Sequence, residues 1–446
     1  MPAYIAKYIS KYNNPKPQIK PITMASFLLS WLLGQSAFAL QPLPPIDAFK
    51  AIMIDGMELP NAVGKPIKEF SLAAVIDGEM EPIPFQIDEY NEGGAVYFED
   101  WGVPIAGSKD ILDNEDKLLF IYKDAGPRLQ PHHRYDGDVV QEITLSSSSG
   151  HLRYVYLMQN SRLISDEQYV RYSSDEAIVE TDFYSITYDK ENQLNWNDFS
   201  IVNYDGEENP FDSLKIRLET GIISSLIKTE INNESLIAIP KGERIGPIRT
   251  TTQMELTFWL LKLPILRVSL QLHHFPNSLL YDVRAILPAA RRKMLSDPKI
   301  YLSLEGNKLY GTETRTAAGP KTPAITNGSI DAIEKQHIAE GISITKNWIW
   351  ATTLRNLDFL AFFNFNSDRK QEISLHYNDD LTAVDLPERF VGQLPNVGYK
   401  IHTLPDSGFF GFTVGIHLSN EFEGEPEVFT EQIRRLPDIS ISSPAQ

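Results

Sequence analysis

Apolar residues along this chain recur with period two far more often than with the spacing of a helix. Side chains alternate faces along a strand, so such runs predict strands with one dry and one polar face. Phe70, Leu72, Ala74 and Ile76 share one parity and are followed by Asp77-Gly78, a dipeptide suited to a tight hairpin turn because Gly tolerates positive φ. Ile83, Phe85 and Ile87 alternate with Pro84, Gln86 and Asp88. Pro82 and Pro84 lack donors, which places that strand at a sheet edge. Residues 118–122 form a continuous apolar run, the pattern of a strand buried on both faces.

A stretch holding Pro127, Pro131, His132 and His133 marks a boundary. Beyond it, strand signals follow at short spacing. Residues 139–145 and 152–158 flank a Ser-rich hairpin loop, 300–304 and 309–312 flank Glu305-Gly-Asn-Lys, and 342–354 and 359–365 flank Arg355-Asn-Leu-Asp. Helical spacing is confined to 331–339 and 427–435. The expected fold is all-β: a small N-terminal β domain over residues 40–135, then a large antiparallel β-sandwich over 136–446, supersandwich-like.

The longest alternation spans residues 249–274. Met254, Leu256, Phe258 and Leu260 are apolar at even positions, and Leu266, Val268, Leu270 and Leu272 continue that parity after a turn at Lys262-Leu-Pro264. The odd positions are polar: Arg249, Thr251, Gln253, Glu255 and Thr257, then Arg267, Ser269, Gln271 and His273. Pairing as a hairpin puts both polar rows on one side, and Asp282 and Arg284 extend a neighbouring row. This row is either a solvated sheet face or a binding groove. In a groove, Glu255, Gln271 and Arg284 would hold a ligand. Arg249 or Arg267 would neutralise a carboxylate, and His273 or Tyr281 would act as base. Trp259, an aromatic at the polar parity, favours the groove. Trp348 and Trp350 share a strand face, as core or as a sugar-stacking platform.

Asp110, Asp113, Asn114 and Asp116 place four oxygen ligands within seven residues. Ca²⁺ takes six to eight oxygens, so this is a candidate Ca²⁺ loop or a solvated acidic loop; the EF-hand spacing and its glycine are missing. No H-E-x-x-H, G-x-S-x-G or P-loop occurs, which leaves zinc and serine hydrolases without a motif.

Lys7, Lys11, Lys16 and Lys20 precede an apolar run over 22–33 and then Ala37-Phe38-Ala39. This is the pattern of a secretory signal peptide spanning residues 1–39, too short in its apolar part for a membrane span of about 20 residues. Its removal takes away four lysines and no acid, leaving 37 basic against 59 acidic residues, a net charge of −22. That balance argues against nucleic acid and anionic membranes as partners. No cysteine is present, so neither disulfides nor thiolate chemistry contribute. An exported chain, periplasmic or extracellular, is expected.

Pro84-Phe-Gln-Ile-Asp88 followed by Leu112-Asp-Asn-Glu-Asp-Lys-Leu-Leu-Phe120 resembles a pattern in secreted bacterial β-sandwich proteins. Gly246-Pro-Ile-Arg249 before a long hairpin is similar to the same group. The resemblance, to sandwiches of polysaccharide-lyase-like or galactose-mutarotase-like type, implies a glycan ligand and, for an enzyme, β-elimination on a uronic-acid polymer. The alternative is a non-enzymatic cell-envelope binding or assembly protein, with the polar row as plain surface.

Overall fold

The computed structural model describes residues 40–443 apart from 163, 207–208, 223, 261–262, 367–370, 385–388, 421 and 423. The expected signal peptide lies outside the described residues. The fold is all-β, with a few short helices between antiparallel sheets.

Two large sheets face each other. Sheet A runs in the order Ile239–Ile245, Thr250–Leu260, Leu263–Phe275, Ser278–Leu287, Gly408–Ser419, Asp358–Phe365, Ile349–Thr352, Glu313–Thr316 and Ala324–Ile325. Sheet B runs Ser224–Ile231, Phe211–Ile222, Leu295–Gly306, Asn396–Ile401 and Ile373–Asn378. Alternation fixes which face of each is dry. Leu256, Phe258, Val268, Leu270, Phe412 and Val414 of sheet A share one core with Ile216, Leu218, Leu302, Leu304, Leu375 and Tyr399 of sheet B. Each such side chain contributes roughly 1.5–3 kcal/mol when fully buried. A one-residue slip would turn the whole set to water, so the register is strongly specified.

The N-terminal region builds a second core. Ala51–Asp55, Lys117–Ile121 and Phe85–Asp88 form a three-stranded sheet with Phe85–Asp88 at its edge, as the prolines require. Lys117–Ile121 is buried on both faces: Leu118 and Phe120 pack with Ile52, Ile54 and Leu72, while Leu119 and Ile121 pack with Tyr169, Ile248 and Phe275. Sheet C runs in the order Asp438–Ser442, Asp138–Ser146, Leu152–Gln159, Phe70–Ile76 and Glu79–Pro82. It therefore spans residue 135, since Phe70 to Ala73 pair with Gln159 to Tyr156. Asp77 and Gly78 both adopt positive φ at the expected hairpin turn.

One expected hairpin does not form, and another has a shortened first strand. Leu295–Gly306 does not pair with residues 309–312; it sits between Phe211–Ile222 and Asn396–Ile401, where neighbours on both sides satisfy its backbone. Residues 342–354 supply a shorter strand than expected, Ile349–Thr352, which forms the expected hairpin with Asp358–Phe365. Trp348 and Trp350 are core residues, packed with Leu360, Phe362 and Phe429.

Candidate functional site

The polar row forms as alternation predicts. Thr251 faces His273, Gln253 faces Gln271, Glu255 faces Ser269 and Thr257 faces Arg267, while Ser269 and Gln271 face Arg284 and Asp282 on the next strand. Half of this row is covered by residues 83–107. Gln271 accepts from the Val96 amide at 3.1 Å and donates to the Val96 carbonyl at 2.8 Å, adding a strand-like pair of bonds from one side chain. Trp101 Nε1 donates to Ser269 Oγ at 3.3 Å. Arg284 donates to Asp282 and to the carbonyls of Gly93 and Gly94.

The predicted residues are thereby separated. Gln271 and His273 are 3% and 4% exposed. His273 Nδ1 lies 2.9 Å from Thr251 Oγ1, and burial, with the nearby Arg249 charge, holds its pKa well below the usual imidazole range. Tyr281 is not brought to the row: it faces Leu272 in register and lies in the sandwich core, where burial pushes its phenol up. Glu255 is half-buried, and Arg267 and Trp259 are exposed at the open end.

Arg249 is buried against Asp88, to which Nε donates at 3.2 Å. Gln86, two residues earlier on the same strand face, accepts from the amides of Ile248 and Arg249 at 3.1 and 2.8 Å. A Cβ at Gly246 would stand 2.2 Å from Gln86 Oε1, so a side chain there would displace the Gln86 amide from its bonds to the backbone. The Pro84–Asp88 and Gly246–Arg249 segments, distant in sequence, are thus two halves of one clamp.

Two of the four acidic-loop side chains, Asp113 and Asp116, accept from backbone amides nearby. Asp116 accepts from the amides of Tyr90 and Asp113 at 3.2 and 2.8 Å, and burial raises its pKa to about 6. Asp113 accepts from the Ser108 amide. Asp110 donates its amide to Glu89 Oε1 at 2.5 Å and accepts from Ile67 at 2.9 Å through its carbonyl. The Asn114 carbonyl accepts from Met57 at 3.0 Å. Among the described residues no group of three or more His, Asp or Glu side chains converges as metal ligands.

The densest chemistry lies elsewhere, on the outer face of sheet B. Its strands place cross-strand ranks there, one residue from each. Lys215, Ser303, Gly398 and His376 form one rank; Arg217, Tyr301, Lys400 and Ser374 form the next; Glu305, Asn396 and Asn378 form a third. Glu305 is fully buried between two cations, 3.0 Å from Arg389 Nε and 3.5 Å from Lys215 Nζ. Burial still raises its pKa, against the pull of Lys215 and Arg389. The neighbouring rank is half-buried and opens outward. Lys400 Nζ sits 5.0 Å above the Tyr301 ring, the Tyr301 hydroxyl donates to Glu219 at 2.8 Å, and the His376 ring meets Tyr301 edge-on at 5.2 Å. Burial, together with Arg217, Lys400 and Arg389, lowers the His376 pKa to about 4. At Gly398 the strands approach so closely that a Cβ would stand 2.0 Å from the Leu302 carbonyl oxygen, leaving a gap in the face between Ser303 and His376.

These residues were missed in sequence because their strands are not consecutive. Lys215, Arg217 and Glu219, or Tyr301, Ser303 and Glu305, each read as the polar side of an ordinary strand. Only the strand order joins them.

No family model and no curated protein matches the chain. Solved structures that resemble it include an alpha-mannosidase from Enterococcus faecalis V583, at 11% identity and a TM-score of 0.41 over 94% of this chain and 48% of that one. A glycosyl hydrolase family 38 protein from Enterococcus faecalis gives 10% and 0.40 over 94% and 50%. A copper-containing benzylamine oxidase from Hansenula polymorpha gives 9% and 0.30 over 93% and 85%. The chain spans about half the length of the two Enterococcus chains it matches. The functional reading therefore rests on this chain's own side chains.

Proposed function

We propose that the protein is exported and binds an acidic carbohydrate on the outer face of sheet B. The observation that supports this most is the Lys400 ammonium above the Tyr301 ring, beside His376. The neighbouring cations are paired, Arg217 with Glu230 at 3.5 Å and Arg389 with Glu305 at 3.0 Å, in a chain whose overall charge is strongly negative. Among the described residues Lys400 has no carboxylate partner; it has the Tyr301 ring. A half-buried ammonium beside an aromatic face suits a uronate: the carboxylate meets the cation, and the apolar side of the sugar ring meets Tyr301. Ser374, Asn378 and the neutral His376 can bond the sugar hydroxyls. Buried Glu305, held between Lys215 and Arg389, fixes the floor on rigid strands.

The test is calorimetric titration with oligogalacturonate against its neutral methyl ester. The acidic sugar should bind more tightly, and Lys400→Ala should weaken it about tenfold, or ~1.4 kcal/mol. Arg267→Ala, on the other sheet, should leave binding unchanged; a loss there would move the site to the open end of the long hairpin. Absorbance of unsaturated uronate, followed on the same polymers, tests turnover: a rise lost in His376→Ala would extend the proposal to β-elimination, with the cations stabilising the carboxylate and the imidazole taking the proton. No binding to any acidic glycan would favour the envelope-partner reading.

A further inference from the structure

A cleft of about 750 Å³ opens away from sheet B, between the helix Pro45–Ala48, the turn that joins Leu263–Phe275 to Ser278–Leu287, the strand Gly408–Ser419 and the helix Pro426–Arg434. Its size falls within the roughly 300–1,000 Å³ typical of small-molecule sites. Most of its wall is apolar and aromatic. Phe49 meets Phe183 edge-on at 4.8 Å, and Phe422 stacks on Phe429 at 4.6 Å.

Three polar groups adjoin one another on the sheet A wall, while Lys50, Ser419, Asn420 and Gln432 also line the cleft. Ser278 and His417 face each other in register, and Asn277 adjoins them in the turn. Among the described residues no hydrogen bond engages the side chain of Asn277 or of His417, whose ring meets Phe362 edge-on at 5.8 Å. The cleft's one cation is already saturated. Lys50 Nζ donates to the carbonyls of Gln432 and Arg435 at 2.6 and 2.7 Å and pairs with Asp47 at 2.5 Å, which uses all three ammonium donors. His417 is held neutral at physiological pH by its burial and by Lys50. Among the described residues no lining charge is left to meet an anionic head group, and none of the lining residues is acidic.

We propose that this cleft binds an uncharged single-chain amphiphile, an acyl chain carrying a hydroxylated head. The chain would lie among the phenylalanines, and the head would bond Asn277, Ser278 and His417. Burial takes the methylenes of the chain out of water, while a carboxylate head would lose its hydration and, among the described residues, find no free cation in the wall.

Gly415 supplies the test. It lines the cleft, its φ is not in the left-handed region, and a Cβ there would meet only Leu280 Cδ1 at 3.6 Å. Gly415→Phe should therefore fill the cleft without disturbing the strand. The residue 40–446 protein is titrated with N-phenyl-1-naphthylamine, and the probe is displaced with monoolein or with oleate. Saturable probe binding is expected, with monoolein displacing at least tenfold better than oleate. Both signals should be lost in Gly415→Phe at an unchanged melting temperature and retained in Lys400→Ala, which separates this site from the sugar site. Ser278→Phe, on the facing strand, gives the same reading should Gly415→Phe melt early. Equal or better displacement by oleate would overturn the proposal. So would probe binding that survives both filling variants, or displacement by an aryl glucoside but not by monoolein.

Discussion

Asp88 and Arg249 lie 161 residues apart and form an ion pair whose side chains are 2% and 3% exposed. The pair fixes an edge strand of the N-terminal region onto the start of the long hairpin of sheet A. Breaking one side would strand a buried charge, which typically costs about 3–5 kcal/mol. Asp88→Ala should lower stability by that order in urea unfolding, while Asp88→Leu/Arg249→Met should recover most of it. A double variant as unstable as the single one would mean that the segment is held chiefly by Gln86.

The acidic loop gives a second expectation. Asp116 is an acceptor for two backbone amides, so Asp116→Ala should destabilise by about 1–3 kcal/mol through the orphaned donors. The loss should be the same in Ca²⁺ and in EDTA. A wild-type melting temperature that rises with Ca²⁺, by the mass-action relation for a bound ligand, and does not rise in Asp113→Ala/Asp116→Ala, would instead establish a calcium site.

Glu334 is fully buried, and burial raises its pKa to about 7. It accepts from the Asp331 amide and the Tyr377 hydroxyl, with Asp379 and Asp331 as like charges nearby. A carboxyl whose folded pKa exceeds its unfolded value binds more protons when folded, so its contribution to stability is present below about pH 4.5 and is lost as pH rises to about 7. His376 and His417, both lowered to about 4, act in the opposite sense between pH 4 and 6.5. Comparing the wild type with Glu334→Gln isolates the first effect. The variant should gain stability relative to the wild type as pH rises from 4.5 to 7, and the difference should be level above that. A pH-independent difference would contradict the assignment.

Gly398→Ala should be disproportionately harmful. Its Cβ would press on Leu302 and Ser303 backbone atoms at 2.0 and 2.6 Å, and overpacking of this kind costs about 1–3 kcal/mol. Reduced stability together with lost acidic-sugar binding would link strand spacing to the site; a normal melting temperature would refute the close approach.

Residues 131–137 form an exposed connection between the strands of the N-terminal region. Limited proteolysis should cut there. The fragments should stay together in gel filtration, because Phe70–Ile76 pairs with Leu152–Gln159 across the cut. Fragments that separate would argue for two independent domains divided near residue 135.

What was legible in the sequence was local. The 250–274 hairpin, its parity, the Asp77-Gly78 turn, the edge strand at Pro84 and the doubly buried 118–121 run all follow from alternation and turn chemistry. The cover on the polar row was not legible, because Gln271 and Arg284 bind backbone groups of residues 93–96, and a backbone carbonyl leaves no mark in the sequence. The face that holds Glu305 and His376 was hidden for a different reason. Its ranks combine residues near 215, 303, 376 and 398, and strand order over such separations is set by the packing of whole sheets.

The strand Asp438–Ser442 completes the edge of sheet C by pairing with Asp138–Ser146. Nearly the entire sandwich is synthesised between those two partners. A nascent chain therefore carries an open β-edge until Asp438–Ser442 has emerged, long after Asp138–Ser146 was made. A chain cut short before Asp438 would keep the open edge permanently and offer it to other copies, so loss of this one strand should appear as aggregation out of proportion to the few contacts removed.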